Sequence, residues 1–143
     1  MLVHNFIESR AEICPDKYAL VYTDARLTYG ELNQRANCLA SYLNHAGVDK
    51  GDRVVIVMES SINYVVSYFA VLKAGAVVTA LNTASTEIEA KAILMNCTPA
   101  AVIIQAKYAH LVTDYIKESN SVKIVIVDNT CANNPLDCGV KQE

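Results

Sequence analysis

The sequence is short of glycine, with five in 143 residues. It contains no G-x-G-x-x-G and no G-x-x-x-x-G-K-[ST], so the usual loops whose backbone N–H groups cradle a phosphate are missing. It also lacks an excess of positive charge: 12 Lys and Arg stand against 15 Asp and Glu, for a net charge of -3. With no basic cluster, the electrostatic footprint of a nucleic-acid binder is absent, and nucleic acid is not an expected partner. Long apolar runs are missing too. The longest, residues 64–72 and 76–81, fall far short of the roughly 20 residues needed to cross a bilayer, so no transmembrane segment is expected. The stretch from Met1 to Glu8 has neither a basic segment nor a long apolar one, so no secretory signal is expected, and a cytoplasmic location follows as an expectation. Finally, there is no cysteine pattern. Cys14, Cys38, Cys97, Cys131 and Cys138 are odd in number, form no C-x-x-C and have no histidine at zinc-ligand spacing. They are expected to be reduced thiols.

What is present is enough for a folded domain. Hydrophobic residues make up 52% and charged residues 19%, which separates the chain from disordered sequences. Its length suits one domain, or one piece of a larger one. Val3, Phe6, Ile7 and Ala11 approach a helical stripe that Pro15 ends. Residues 18–22 and 26–28, separated by Thr23-Asp24-Ala25, predict a β-hairpin. Thr28 and Glu31 stand at capping-box spacing. Leu32, Ala36, Leu39, Ala40 and Leu43 then mark one buried helix face, with Gly47 as the closing left-handed residue.

From there strands and helices alternate. Residues 54–58 form a continuous apolar run, as a strand covered on both faces requires. Ser60 or Ser61 can cap a helix through Leu72, closed near Lys73-Ala74-Gly75. Residues 76–81 predict a strand, and Ser85 or Thr86 starts a helix stopped by Thr98-Pro99. Residues 100–104 predict another strand. Tyr108, Leu111, Val112, Tyr115 and Ile116 give a further helical stripe, and residues 122–127 a further buried strand. This order implies right-handed crossovers and a three-layer α/β/α fold with a mainly parallel sheet and a short N-terminal β-hairpin. Residues 1–127 are expected to form this α/β unit, and residues 128–143 a loop or truncated tail.

Each chemically suggestive residue has a plainer role available. His4, His45 and His110 are isolated from one another, and solvated or helix-end positions account for them. Ser60-Ser61 follows a strand but lacks G-x-S-x-G, so capping accounts for it. Asp52 and Asp128 stand at strand ends, where carboxylates sometimes bind ligands, but turns also favour Asp. Lys73 suits the last turn of a helix electrostatically. Tyr64 and Tyr68 share a helix face, which favours packing. No catalytic, cofactor-binding or metal-binding residue is assigned.

Three words go further: Leu27-Thr28-Tyr29-Gly30-Glu31-Leu32, Gly51-Asp52-Arg53-Val54 and Leu72-Lys73-Ala74-Gly75-Ala76. In this order and at these separations the segment from about Asp16 to Val127 resembles the opening of the AMP-dependent synthetase and ligase superfamily. That superfamily includes acyl- and aryl-CoA synthetases, luciferases and peptide-synthetase adenylation domains. The resemblance implies a parent enzyme that uses ATP and Mg2+ to activate a carboxylic acid as an acyl-adenylate and passes it to CoA or a carrier thiol. In that family the phosphate loop, the ribose-holding acid and the adenylating lysine lie beyond the matched segment. The chain is therefore expected to be an N-terminal fragment, catalytically incomplete, with no cofactor of its own. Its expected partner is the remainder of the parent enzyme, and self-association would cover apolar surface left open. Ala80, Thr83 and Glu59 depart from prolines usual in similar members. Residues 27–40 look like peptide-synthetase adenylation domains, whereas residues 71–82 look more like acyl-CoA ligases. A non-catalytic α/β binding module is the reading from another class.

Overall fold

The computed structural model describes residues 1–129. Its elements run α1 (Asn5–Ile13), β1 (Tyr18–Tyr22), β2 (Ala25–Thr28), α2 (Tyr29–His45), β3 (Arg53–Val57), α3 (Ile62–Lys73), β4 (Val77–Ala80), α4 (Glu87–Cys97), β5 (Ala101–Gln105), a 3-10 turn (Ala106–Tyr108), α5 (His110–Glu118) and β6 (Ile124–Asp128). β1 and β2 pair antiparallel as the hairpin. The other four strands form one parallel sheet in the order β4-β3-β5-β6.

The sheet exists because β3 and β5 are apolar on both faces. Val54 and Ile56 of β3, with Ala101 and Ile103 of β5, meet Ala36, Ala40 and Leu43 of α2 and Ala70 and Val71 of α3. The alternate residues Val55, Val57, Val102 and Ile104 meet Ala90 and Leu94 of α4 and Leu111, Val112 and Tyr115 of α5. The period-two alternation of a strand thus feeds two cores from one continuous apolar run. Each of these aliphatic side chains contributes roughly 1.5–3 kcal/mol by leaving water. The three-layer expectation holds, with α2 and α3 on one face and α4 and α5 on the other.

A third cluster joins α1 and the hairpin to this body through Ile7, Leu27, Leu32, Ile62 and Val66. Lys73 reinforces it. It stands in the last turn of α3 as expected and is also a buried ion-pair partner, its Nζ 2.6 Å from Glu8 Oε1 and its side chain 5% exposed.

Helix boundaries follow local chemistry. Thr28 Oγ1 accepts from the Glu31 N–H at 3.2 Å, and Glu31 Oε2 accepts from the Thr28 N–H at 2.9 Å. Ser61, not Ser60, caps α3 by accepting from the Tyr64 N–H. Thr86, not Ser85, caps α4, and Glu89 completes a second capping box there, which the sequence reading did not anticipate. Thr98 closes α4 in a left-handed conformation at φ 43°. Arg53 supports this unusual backbone by donating to the Cys97 carbonyl and to Thr98 Oγ1. Gly75, at φ 81°, turns the chain from α3 into β4, a backbone conformation that a side chain would strain.

The last segments differ in detail from the sequence expectation. The helix expected from Tyr108 begins as a 3-10 turn and becomes α-helical at His110. The last strand starts at Ile124, not Val122, and includes Asp128. It is half-buried, because it lies at an edge of the sheet among the described residues and leaves Val127 37% exposed. Of the expected tail, residues 130–143 lie outside the described residues.

Two stability measurements test these contacts. Thr28→Ala is expected to cost about 1 kcal/mol by removing the α2 cap, read as a lower denaturant midpoint; an unchanged midpoint would count against the cap. Glu8 is held below its ordinary value of 4.5 chiefly by the hydrogen bond from Lys73 and then by that from Asn5. A depressed folded-state value means that the unfolded chain takes up protons more readily, so the stabilisation is complete above 4.5 and lost as pH falls through the lowered value. Urea midpoints at about pH 6 and about pH 3 should therefore differ less in Lys73→Met than in the parent chain.

Candidate functional site at the switch point of the sheet

The direction in which successive strands are added to the parallel sheet reverses between β3 and β5. From β3 the chain steps outward to β4, whereas from β5 it steps the other way to β6. In open α/β sheets a crevice forms at such a reversal, outside the carboxyl ends of the strands, and this is where ligands are generally held. Here the rim is made by residues 58–61 after β3 and residues 106–109 after β5.

Glu59 joins the two sides. Its backbone N–H donates to Gln105 Oε1 at 2.9 Å. Its Oε1 accepts from the Tyr108 hydroxyl at 2.6 Å and pairs with Lys107 Nζ at 2.7 Å. Lys107 also lies 5.1 Å from the centre of the Tyr108 ring, a cation–π distance. Lys107, and secondarily Tyr108, hold the Glu59 carboxyl below the usual glutamate range, while Glu59 raises the Lys107 ammonium. The two directions agree: this is a charged pair, both members half-exposed.

Behind the rim the polar contacts are buried. Asn63, in the first turn of α3, donates to Asp128 Oδ2 at 3.1 Å, and the two residues are 5% and 3% exposed. This contact spans from the helix after β3 to the carboxyl end of β6. At the β4 end, Asn82 Oδ1 accepts from the Ala84 N–H and shapes the turn before α4.

The residues singled out in the sequence fall mostly elsewhere. Asp52 precedes β3, at the opposite edge of the sheet, where it accepts from the Asp49 N–H as a turn residue. His4 precedes α1, His110 opens α5, and His45 lies in the last turn of α2 with Nδ1 2.7 Å from the Ser41 carbonyl. Tyr64 and Tyr68 pack against the α2/α3 core, Tyr68 edge-on to Phe69. Cys14, Cys38 and Cys97 are free thiols, and burial pushes the Cys97 thiol up. Of the residues singled out, Asp128 ends β6 at the rim edge of the sheet, Ser60 and Ser61 lie in the rim itself, and His110 directly follows it. Glu59, Gln105, Lys107 and Tyr108 were not legible as a group, because alternation of strands and helices does not reveal which two strands flank the reversal.

The helix starts at Thr28, Ser61 and Thr86 turn their side-chain oxygens onto N–H groups of their own helices, whereas α5 starts at Ala109 without a side-chain cap. Among the described residues no group of three His, Cys, Asp or Glu converges as a metal site, and no helix is long and apolar enough to cross a membrane.

Fold and rim define a doubly wound α/β unit with its open edge at the carboxyl ends of the strands. The chain belongs to the AMP-binding enzyme family, whose model matches residues 7–141. It is 31% identical over 125 residues to a medium/long-chain-fatty-acid–CoA/3-oxocholest-4-en-26-oate–CoA ligase of Mycobacterium marinum, covering 87% of this chain and 23% of that protein. It is 34% identical over 126 residues to tyrocidine synthase 1 of Brevibacillus parabrevis, covering 88% of this chain and 11% of that protein. Among solved structures, a fatty acyl CoA synthetase of Mycobacterium tuberculosis superposes with a TM-score of 0.80 at 30% identity, over 90% of this chain and 26% of that one. The chain thus spans a small share of the relatives it matches.

The electrostatics of the rim can be checked by NMR. In Lys107→Met the Glu59 carboxyl is expected to titrate closer to its ordinary value of 4.5, since its largest depressing partner is gone. Tyr108→Phe should move it in the same direction. A Glu59 titration unmoved in both variants would contradict the bridge.

Proposed function

We propose that this chain forms the first α/β block of an adenylate-forming acid–thiol ligase. The observation that carries this reading is the family match over residues 7–141, together with a parallel sheet whose open edge and layers are those of a CoA-ligase relative. In the proposed reaction a carboxylate oxygen attacks the α-phosphorus of ATP and pyrophosphate leaves. A thiol sulfur then attacks the acyl carbon and AMP leaves. Mg2+ would lower the cost of the charge that develops on the phosphates. In this reading the block builds one wall of the site, and the reacting groups come from further chain, as the family resemblance implies.

The acid–CoA ligase is the favoured form, supported by the likeness of residues 71–82 to such ligases and by the fatty acyl CoA synthetase superposition. A peptide-synthetase adenylation domain is the second reading, favoured by the 34% identity to the tyrocidine synthase over 88% of the chain. The two differ in the thiol: free CoA for one, a carrier-protein thiol for the other.

Acyl-adenylate formation depends on donors and cations already aimed at developing phosphate charge. The 143-residue chain alone is therefore expected to show no carboxylate-dependent exchange of labelled pyrophosphate into ATP, and the full-length ligase to show it with at least one of a panel of fatty, aryl and amino acids. Exchange by the purified chain, absent from a folded variant control, would overturn this division of labour. A full-length protein inert toward every acid would favour the non-catalytic module instead.

A further inference from the structure

We propose that Glu59 is a positioning residue: it clamps the loop after β3 to the loop after β5 and so fixes the width of the crevice mouth through which the carboxylic acid is held. The acid's presence in this crevice rests on the ligase reading above; the clamp itself does not.

The geometry points to one residue. Among the described residues, every hydrogen bond or ion pair that joins residues 58–61 to residues 105–109 involves Glu59: its N–H to Gln105 Oε1, and its carboxylate to Tyr108 and Lys107. β3 and β5 are held rigidly by the ladder between them up to Val57 and Ile104. Beyond that register no other polar contact among the described residues ties the two loops. Exposed ion pairs add little to global stability, so three contacts gathered on one half-exposed residue act locally, on where the loops sit. Each loop leads directly into a helix beside the rim: α3 follows Ser61 and α5 follows Ala109. Small misplacements of groups that orient a substrate are costly to its binding and reaction.

The first arm of the test uses the chain itself, by hydrogen exchange of backbone amides. In Glu59→Ala the amides of residues 59–61 and 106–109 are expected to exchange roughly tenfold faster, while those of β3 and β5 and the urea midpoint stay unchanged. Both variants keep the backbone N–H bond to Gln105; in Glu59→Gln, which also keeps a side-chain acceptor for Tyr108, the rise should be smaller, about threefold. Unaltered loop exchange in Glu59→Ala would overturn the clamp. The second arm uses the full-length ligase. There Glu59→Ala should raise KM for the acid about five-fold and leave KM for ATP unchanged. Faster loop exchange with an unmoved acid KM would overturn the positioning role. A full-length protein that activates no acid would sink the ligase reading instead, and the loop-exchange result would still decide the clamp.

Discussion

The structure depends on the burial of β3 and β5 from both sides. Val54 through Val57 and Ala101 through Ile104 are at most 1% exposed, which is possible only when a helix layer covers each face of the sheet. Parallel strands impose the same demand from the backbone side, because each must be reached by a crossover that lands on a face. The apolar run and the crossover thus ask for the same architecture. One consequence is functional: parallel pairing puts every carboxyl end on one edge, so loops far apart in sequence, such as those of Glu59 and Lys107, become neighbours.

Around that centre, side chains fix where each element stops. Arg53 shows the coupling well. It opens β3, yet its guanidinium donates to the end of α4 at Cys97 and Thr98, so the start of the central strand anchors the left-handed residue from which β5 departs. Lys73 and Glu8 do similar work between α3 and α1, the buried ammonium requiring a partner because an isolated buried charge would be costly. Three of the helix starts are committed in the same way: the oxygens of Thr28, Ser61 and Thr86 each accept from their own helix. Groups used in this way to define the scaffold are not available to a ligand phosphate.

Much of this was legible because the signals were local. The capping box of Thr28 and Glu31, the left-handed glycines at 47 and 75, and the double-faced apolar runs each depend on a few adjacent residues, and the structure places them as the periodicity required. What could not be read was pairing across the chain. Nothing in the spacing of residues 53–105 says that β5 lies beside β3 with β4 on the outside, and without that order neither the switch point nor the Glu59 bridge can be located. The ion pair of Lys73 was hidden for the same reason, since Glu8 is 65 residues away. The early end assigned to the last strand has another cause: Asp128 reads as a turn residue, but Asn63 supplies the buried partner that lets it finish the strand.

The family words themselves carry structure rather than chemistry. The words that reveal the family, at Leu27–Leu32, Gly51–Val54 and Leu72–Ala76, fall at places where the fold itself is decided: a helix cap, the turn into the central strand, and the glycine between α3 and β4. The turn words lie at the amino end of the sheet, with Gly51 N–H donating to the Gly75 carbonyl. That contact is on the opposite edge from Glu59, Gln105 and Tyr108. A sequence signature of this kind records how the scaffold closes at its amino edge, whereas the Glu59 contacts to Gln105, Lys107 and Tyr108 gather at the carboxyl edge, outside all three words.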